Sequence, residues 1–142
     1  METDTALTVT SLLAVALALL LVFLAERTAA ARRRSRVDVG TGEDEALLRW
    51  TRAHANLAEY APIFLILLFL AERTLGSGLW LGALAIVFLA GRLMHAYSLI
   101  RAEPARVAVR GLGRYRWRIA GMAATLLAIL LTAATLLISL VA

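Results

Sequence analysis

The chain has 142 residues, of which 61% are hydrophobic and 18% are charged, and its mean hydropathy is +0.80. These values exclude an ordinary soluble domain and indicate a membrane protein. The net charge of +5 comes from arginines that flank apolar segments instead of covering a soluble face, so membrane topology explains it better than binding to nucleic acid.

Four apolar segments are each long enough, with their helical extensions, to cross a bilayer, which takes roughly 20 residues. We predict spans at about 6–25, 46–71, 79–100 and 118–141, within one membrane domain that covers the chain. The first segment lacks the basic start and cleavage pattern of a signal peptide, so we expect a permanent span. The predicted fold class is all-α, a transmembrane four-helix bundle.

Arginines crowd the connections after the first and third spans, whereas the connection after the second span has only Arg73. The crowded arginines are Arg27, Arg32, Arg33, Arg34, Arg36, Arg101, Arg106, Arg110, Arg114, Arg116 and Arg118. By the positive-inside rule, loops at about 26–45 and 101–117 are cytoplasmic, and both termini lie on the non-cytoplasmic side. The use of arginine for all fifteen basic residues favours a GC-rich, bacterial genome.

Turn and capping signals precede the second span. Gly40 and Gly42 favour a turn, and Thr41 followed three residues later by Asp44 resembles a capping box. The acidic run Glu43–Glu45 suits the positive end of a helix dipole. We therefore predict that the second helix begins near Asp44.

The second span begins with polar side chains on one face. Its polar residues are Arg52, Asn56, Glu59 and Tyr60. Their spacing of i, i+4, i+7 and i+8 places them within about 100° of a helix surface. With the loop orientation above, this face lies near the cytoplasmic side of the membrane.

The third span carries a second polar group, Arg92, His95 and Tyr97, near the same predicted side. A charge near the centre of a span costs roughly 2.5–3.5 kcal/mol on insertion scales, so Glu59 and Arg92 need partners or a polar cavity. We expect both to face the bundle interior. The turn before this span is predicted at Gly76 and Gly78, and Glu103-Pro104 predicts no helix beyond it.

An alternative explains these residues singly, as arginines that reach the headgroups, tyrosines of an aromatic belt, and Asn56 and Glu59 as interhelical hydrogen-bond partners. It explains the set less well, because an interfacial anchor needs no carboxylate one turn below an amide. The two histidines lack carboxylates at a matching spacing, so we predict no metal site.

The polar set suits a small peptide-like zwitterion with extra carboxylates. Arginine binds carboxylates through two hydrogen bonds, Glu59 accepts from an ammonium group, and Asn56 both donates and accepts. The chain has no cysteine, which excludes disulfides and cysteine nucleophiles. Any sulfur chemistry therefore needs a thiol that a substrate supplies.

Three motifs carry a resemblance to a known family. They are RAHANLAEYAP at Arg52–Pro62, GRLMHAY at Gly91–Tyr97 and RIAGM at Arg118–Met122. Together they resemble the MAPEG family, the membrane-associated proteins of eicosanoid and glutathione metabolism, over nearly the whole chain. The resemblance implies a left-handed four-helix bundle that forms a homotrimer. Glutathione would bind between neighbouring subunits near the cytoplasmic face. For this chain we expect the membrane to be a bacterial inner membrane.

The resemblance also implies roles for single residues. Arg52 would hold a glutathione carboxylate, while Asn56 and Glu59 would bind the backbone and amino group. Tyr60 would line the site. The remaining implied glutathione-binding residues are Arg92, His95 and Arg36.

Family members that do chemistry use an arginine near the start of the fourth helix to stabilise the glutathione thiolate. A free thiol has a pKa of about 8.5, and an adjacent guanidinium lowers it. Arg118 fits the Arg-x-x-Gly-Met pattern and Arg116 is the second candidate. The other arginines that compete for this role are Arg106, Arg110 and Arg114.

The predicted function is that of a membrane-bound transferase or peroxidase that uses glutathione or a related thiol on lipophilic electrophiles from the bilayer, without a metal. Met94 and His95 stand where leukotriene synthase has arginine and tyrosine, which points to the generic bacterial branch. One alternative is a non-catalytic lipid-binding, thiol-binding or scaffold protein of the same family. Another is an exporter of cationic drugs, but Glu59 lies only two turns from Arg52 and far from the midplane.

Overall fold

The computed structural model describes residues 7–102 and 115–141, and within those ranges all regular structure is helical. The elements are α1 at Thr8–Ser35, α2 at Glu45–Leu75, α3 at Leu79–Tyr97, a π-helical turn at Ser98–Ala102 and α4 at Arg116–Val141. All four α-helices are long and apolar enough to cross a membrane. The predicted all-α class with four membrane-length helices is confirmed.

The first helix is longer than its predicted span. α1 continues to Ser35, although the span was expected to end near residue 25. The added segment is rich in alanine and arginine, which are strong helix formers, and its last turn contains three arginines that suit the negative end of the helix dipole. The expectations for Glu103-Pro104, Arg106, Arg110 and Arg114 lie outside the described residues.

Asp44 is the N-cap of α2. Its carboxylate accepts a hydrogen bond from the Leu47 amide at 2.9 Å and another from the Ser35 hydroxyl at the end of α1. The predicted helix start is confirmed, but the predicted cap at Thr41 is wrong, because Thr41 lies in the preceding turn, where its carbonyl accepts from the Asp44 amide. Gly42, with φ of +53°, belongs to the same turn.

Arg32 organises the connection between α1 and α2. Its Nη1 donates to the carbonyl oxygens of Val37, Asp38 and Gly40 at 3.2, 3.3 and 2.8 Å. Arg36 adopts a left-handed conformation, with φ of +54°, and its amide donates to the Arg32 carbonyl. This arginine therefore acts as the C-cap of α1, a position at which glycine is more usual.

Neighbouring helices run in opposite directions. Glu72, near the end of α2, contacts Val9 at the start of α1, and Arg49, near the start of α2, donates to the Leu99 carbonyl after α3 at 3.4 Å. α1 and α3 therefore finish at the same end of the bundle, where α2 begins. We call this the arginine end and the opposite one the Glu72 end.

At the Glu72 end, one carboxylate closes the bundle. Glu72 has 0% exposure, and its two oxygens accept hydrogen bonds from the amides of Val9 and Thr10, both at 2.8 Å. The Ser77 hydroxyl donates to the same carboxylate. The first amides of a helix have no intrahelical acceptor and lie at its positive end, so Glu72 supplies what the start of α1 lacks.

One aromatic stack and one close helix crossing hold the helices together. Phe64 and Phe88 stack with ring centroids 4.0 Å apart and planes inclined by 4°. Gly91 and Gly121 bring the backbones of α3 and α4 together, because a Cβ on either residue would lie 2.8 or 2.7 Å from the other's carbonyl oxygen. Small residues allow such close approach between membrane helices. The crossing fixes α3 against the first turns of α4.

Candidate functional site

A cavity of about 300 Å³ opens at the arginine end between α2, α3 and α4, at the lower limit of the roughly 300–1,000 Å³ of small-molecule sites. Its walls are largely polar, and we call it the polar cavity. The residues that line it are Arg52, Ala55, Asn56, Glu59, His95, Leu99, Arg118 and Met122. The structure thus brings together five predicted site residues from three helices.

The α2 wall of the polar cavity is its open side. Arg52 and Glu59 have exposed side chains, and Asn56 is half-buried between them. Across 7–102 and 115–141, no ion pair joins Arg52 to Glu59. The prediction that Glu59 faces the bundle interior is therefore wrong. Glu59 shares a helix face with Arg52 and Asn56, and this face forms the open wall of the cavity.

Arg92 lies behind this wall, in the bundle interior as predicted, with only 2% of its surface exposed. Its Nε donates to Thr125 Oγ1 at 2.8 Å, and its Nη1 donates to Asn56 Oδ1. The guanidinium carbon is 5.1 Å from the centre of the Tyr60 ring and 6.0 Å from that of Phe88. Hydroxyl, amide and ring faces thus stabilise this cation, with no carboxylate paired to it in the described ranges.

The contact with Arg92 fixes the orientation of the Asn56 amide. A guanidinium has only donors, so the amide atom that faces it must be the oxygen. The Asn56 NH₂ group is therefore left for another acceptor. Because Asn56 also lines the polar cavity, it offers a donor there, which suits a carbonyl or carboxylate of a ligand.

His95 contributes from α3. It is 6% exposed, and its ring hydrogen-bonds with the Arg118 backbone. Its Nδ1 is buried, and no atom of the described residues hydrogen-bonds to it. Buried polar atoms of native proteins are nearly always paired, so this nitrogen is an exception within the described residues.

The two fourth-helix candidates occupy different surroundings. Arg118 is half-buried, lines the polar cavity, and has its guanidinium carbon 4.8 Å from the centre of the Tyr115 ring. Arg116 is exposed, lies over the Trp117 ring at 5.4 Å, and does not line the cavity. The geometry therefore favours Arg118 as the arginine that meets a ligand.

Besides Arg116, three predicted residues do not line the polar cavity. Tyr60 and Arg92 lie behind its wall, against each other, and Arg36 is exposed at the end of α1. Met122 was predicted only as the last residue of the Arg118–Met122 motif, and Thr125 was not predicted at all. A signal for Thr125 was available, because it follows Gly121 by four residues and so lies on the helix face that contacts Gly91.

Most of the chain is similar to known membrane proteins. A model of the MAPEG family matches residues 10–138. The inner membrane protein YecN of Escherichia coli strain K12 is 36% identical over 124 residues, which cover 87% of this chain and 86% of YecN. The protein of the same name from Escherichia coli O6:H1 strain CFT073 is similar to the same extent. Both are named as inner membrane proteins, and the name states no activity.

Proposed function

Since the chain belongs to the MAPEG family and is an integral membrane protein, we propose that it is a glutathione-dependent transferase or peroxidase for lipophilic electrophiles. Glutathione, or a related thiol, is the co-substrate. The observation that carries the proposal is the meeting of two arginines, an amide, a carboxylate and a histidine around one cavity.

The polar cavity matches the charges of such a thiol. Arg52 pairs with a ligand carboxylate and Glu59 accepts from its ammonium group, because both side chains are exposed at the mouth. The Asn56 NH₂ group donates to a carbonyl or to a second carboxylate. A ligand that carries both signs of charge, and hydrogen-bond acceptors between them, uses all three side chains at once.

Arg118 acts on the sulfur. Its guanidinium favours the thiolate over the thiol and so raises the fraction of nucleophile at neutral pH. In conjugation, the thiolate forms a carbon–sulfur bond with the electrophile, and the leaving group departs with its bonding electron pair. In peroxide reduction, the thiolate attacks one peroxide oxygen and the O–O bond breaks, which gives a sulfenic acid and an alkoxide. The alkoxide takes a proton from water and leaves as the alcohol. A second thiol then displaces water and forms the disulfide.

We also propose an orientation of the chain in the membrane and an oligomeric state. We place the arginine end at the cytoplasmic face of a bacterial inner membrane, with both termini on the other side, because of the distribution of arginines between the loops. The chain assembles as a homotrimer, as the family resemblance implies. Lipophilic substrates then reach the sulfur from the bilayer, between helices.

The test compares two neighbouring arginines. Purified wild type, Arg118→Gln and Arg116→Gln are titrated with glutathione by calorimetry, and thiolate formation is followed by ultraviolet difference absorbance. We expect Arg118→Gln to lose most of the thiolate at pH 7, about tenfold for each unit by which the thiol pKa rises. Arg116→Gln should match wild type. An equal loss in both variants, or a folded wild type without any thiolate signal, would contradict the catalytic role of Arg118.

One observation favours a second candidate, a non-catalytic thiol-binding protein of the same fold. The mouth of the cavity is open and carries the exposed Arg52 and Glu59, so water is not excluded from that side. Water weakens the effect of a guanidinium on a thiol. Retained glutathione binding with no turnover across a panel of electrophiles and peroxides, and no thiolate change in Arg118→Gln, would establish this candidate.

A further inference from the structure

A second cavity, of about 290 Å³, lies on the opposite side of α3 from the polar cavity. Its lining comes from Leu20–Arg27 of α1, from Leu93–Arg101 of α3 and the π-helical turn, and from Trp50 of α2. The two cavities share no lining residue. We call this second one the α1–α3 groove, and nothing in the proposed thiol chemistry uses it.

The groove has apolar walls and two charged residues. Leu24 and Ala96 are buried in it, at 1% and 7% exposure, whereas Arg27 and Arg101 are exposed. The Arg27 guanidinium carbon is 5.3 Å from the centre of the Phe23 ring. Within the part of the chain that the structure describes, no carboxylate forms an ion pair with either arginine. Among the described residues, the groove therefore combines apolar walls with two arginines that form no ion pair.

The charge and the apolar walls are separated along the bundle axis. α1 and α3 run in the same direction, so Arg27 and Arg101 both lie towards the arginine end of the groove. The apolar lining extends from them back to Leu20 and Leu93, about 10–12 Å at the rise of an α-helix. Exposed Phe23 and Leu93 flank the groove, so it opens on the outer surface of the four helices of one chain.

We propose that the α1–α3 groove binds one membrane phospholipid with an anionic headgroup. Its phosphate lies between Arg27 and Arg101, because guanidinium groups bind phosphate oxygens through paired hydrogen bonds. Its acyl chain occupies the apolar part, which points towards the bilayer centre. A second protein copy suits the groove less well, since charged residues are depleted from the cores of protein interfaces.

The first experiment measures lipid selectivity. The protein is purified in nanodiscs of equal phosphatidylglycerol and phosphatidylcholine, then transferred to detergent, and retained lipid is counted by native mass spectrometry. Wild type should retain phosphatidylglycerol preferentially. The double variant Arg27→Gln/Arg101→Gln should lose about fivefold of that preference per arginine, the equivalent of roughly 1 kcal/mol each.

A matched control removes the same charge elsewhere. Arg33→Gln/Arg34→Gln loses two exposed arginines from the last turn of α1, outside the groove, and should keep the wild-type preference. An equal loss of preference in both double variants would show a general surface charge effect and overturn the proposal.

The second experiment locates the bound molecule. Phosphatidylglycerol with a photoreactive acyl chain is crosslinked in nanodiscs, and the modified peptides are mapped. Crosslinks in Leu20–Leu24 and Leu93–Ala96 are expected, and they should persist in excess inorganic phosphate. Three results would overturn the proposal: crosslinks confined to other faces, displacement of lipid by inorganic phosphate, or disulfide-linked dimers of Leu93→Cys in place of lipid crosslinks. Because the chain has no cysteine, any such disulfide reports position 93 alone.

Discussion

Glu59 and Glu72 both belong to α2, but the two ends of the bundle surround them in opposite ways. Glu72 has 0% exposure and accepts hydrogen bonds from two backbone amides and a serine hydroxyl. Glu59 is exposed, lines an open cavity, and has no ion-pair partner within the described ranges. A carboxylate whose acceptors are all used holds the fold together, whereas one whose acceptors are left open is available to a ligand.

Arginines show the same difference within the arginine end. Arg92 is buried and bonded to Asn56 and Thr125, whereas Arg52 is exposed at the mouth. The buried cation orients the wall of the cavity, and the exposed one faces what enters. The cavity is therefore backed by a fixed polar layer and fronted by side chains that can move.

The largest expected effect is on Glu72. Glu72→Ala leaves the Val9 and Thr10 amides without an acceptor, so the free energy of unfolding should fall by about 3 kcal/mol. Glu59→Ala should change it by no more than about 0.5 kcal/mol, since Glu59 is exposed. Thermal unfolding in detergent measures both. Similar losses in the two variants would remove the distinction between a structural and a ligand-facing carboxylate.

The next effect concerns the helix crossing that supports the open end. In Gly121→Ala the new methyl group would lie 2.7 Å from the Gly91 carbonyl oxygen, so the helices must separate. We expect a loss of about 1–3 kcal/mol in unfolding free energy, with weaker glutathione binding because His95 moves. Gly82→Ala is the control, since no atom lies within 4 Å of its added methyl group. That variant should be neutral or more stable, and equal effects in both would contradict the crossing.

The Asn56 NH₂ group is the next feature to test, because it is the hydrogen-bond donor that Asn56 offers to a ligand in the polar cavity. Asn56→Asp keeps an acceptor for Arg92 but replaces the NH₂ donor with a negative charge. Glutathione affinity should fall about tenfold or more by calorimetry, the equivalent of about 1.4 kcal/mol, while the melting temperature stays equal or rises. Thr74→Asp adds the same charge at the far end of α2 and should leave affinity unchanged. Unaltered affinity in Asn56→Asp would show that the amide donor does not contact the ligand.

The smallest expected effect is a pH dependence at the arginine end. The Ser35 hydroxyl, followed by the Leu47 amide, holds the pKa of Asp44 below its usual 3.8. Because the pKa is lowered in the folded state, the stabilisation is present above about pH 4 and disappears as the pH falls through the folded value. The melting temperature, measured from pH 6 to 3, should fall at the lowest pH values, which we call the acid limit.

Two variants test this assignment. Asp44→Asn should flatten the acid limit, because the residue no longer takes up a proton. Ser35→Ala should shift the loss towards higher pH, because the hydroxyl that lowers the pKa most is gone. An acid limit that is the same in all three proteins would assign it to other carboxylates.

Local features of the chain predicted a good part of this structure. The apolar lengths predicted four membrane helices, the residues around Asp44 predicted the start of α2, and helical spacing placed Arg52, Asn56 and Glu59 on one face. Each of these depends only on residues close in sequence, for which period and capping are sufficient guides.

Contacts between distant residues could not be predicted in the same way. Glu72 looks like an ordinary charged residue at the end of an apolar segment, because its partners Val9 and Thr10 lie more than 60 positions earlier. Tyr97 and His95 are only two residues apart on the third span, yet they line different cavities on opposite sides of α3. Only the packing of α1 and α4 against α3 decides which of its faces meets which cavity.

The role of Glu72 bears on how the protein is made. Synthesis from the N-terminus delivers α1 to the membrane well before residue 72 leaves the ribosome, so the Val9 and Thr10 amides wait for their acceptor. These two amides gain their acceptor only when α2 has crossed the membrane and its last turn, with Glu72, lies beside the start of α1. A nascent chain halted within α2 therefore lacks the carboxylate that caps these first amides of α1.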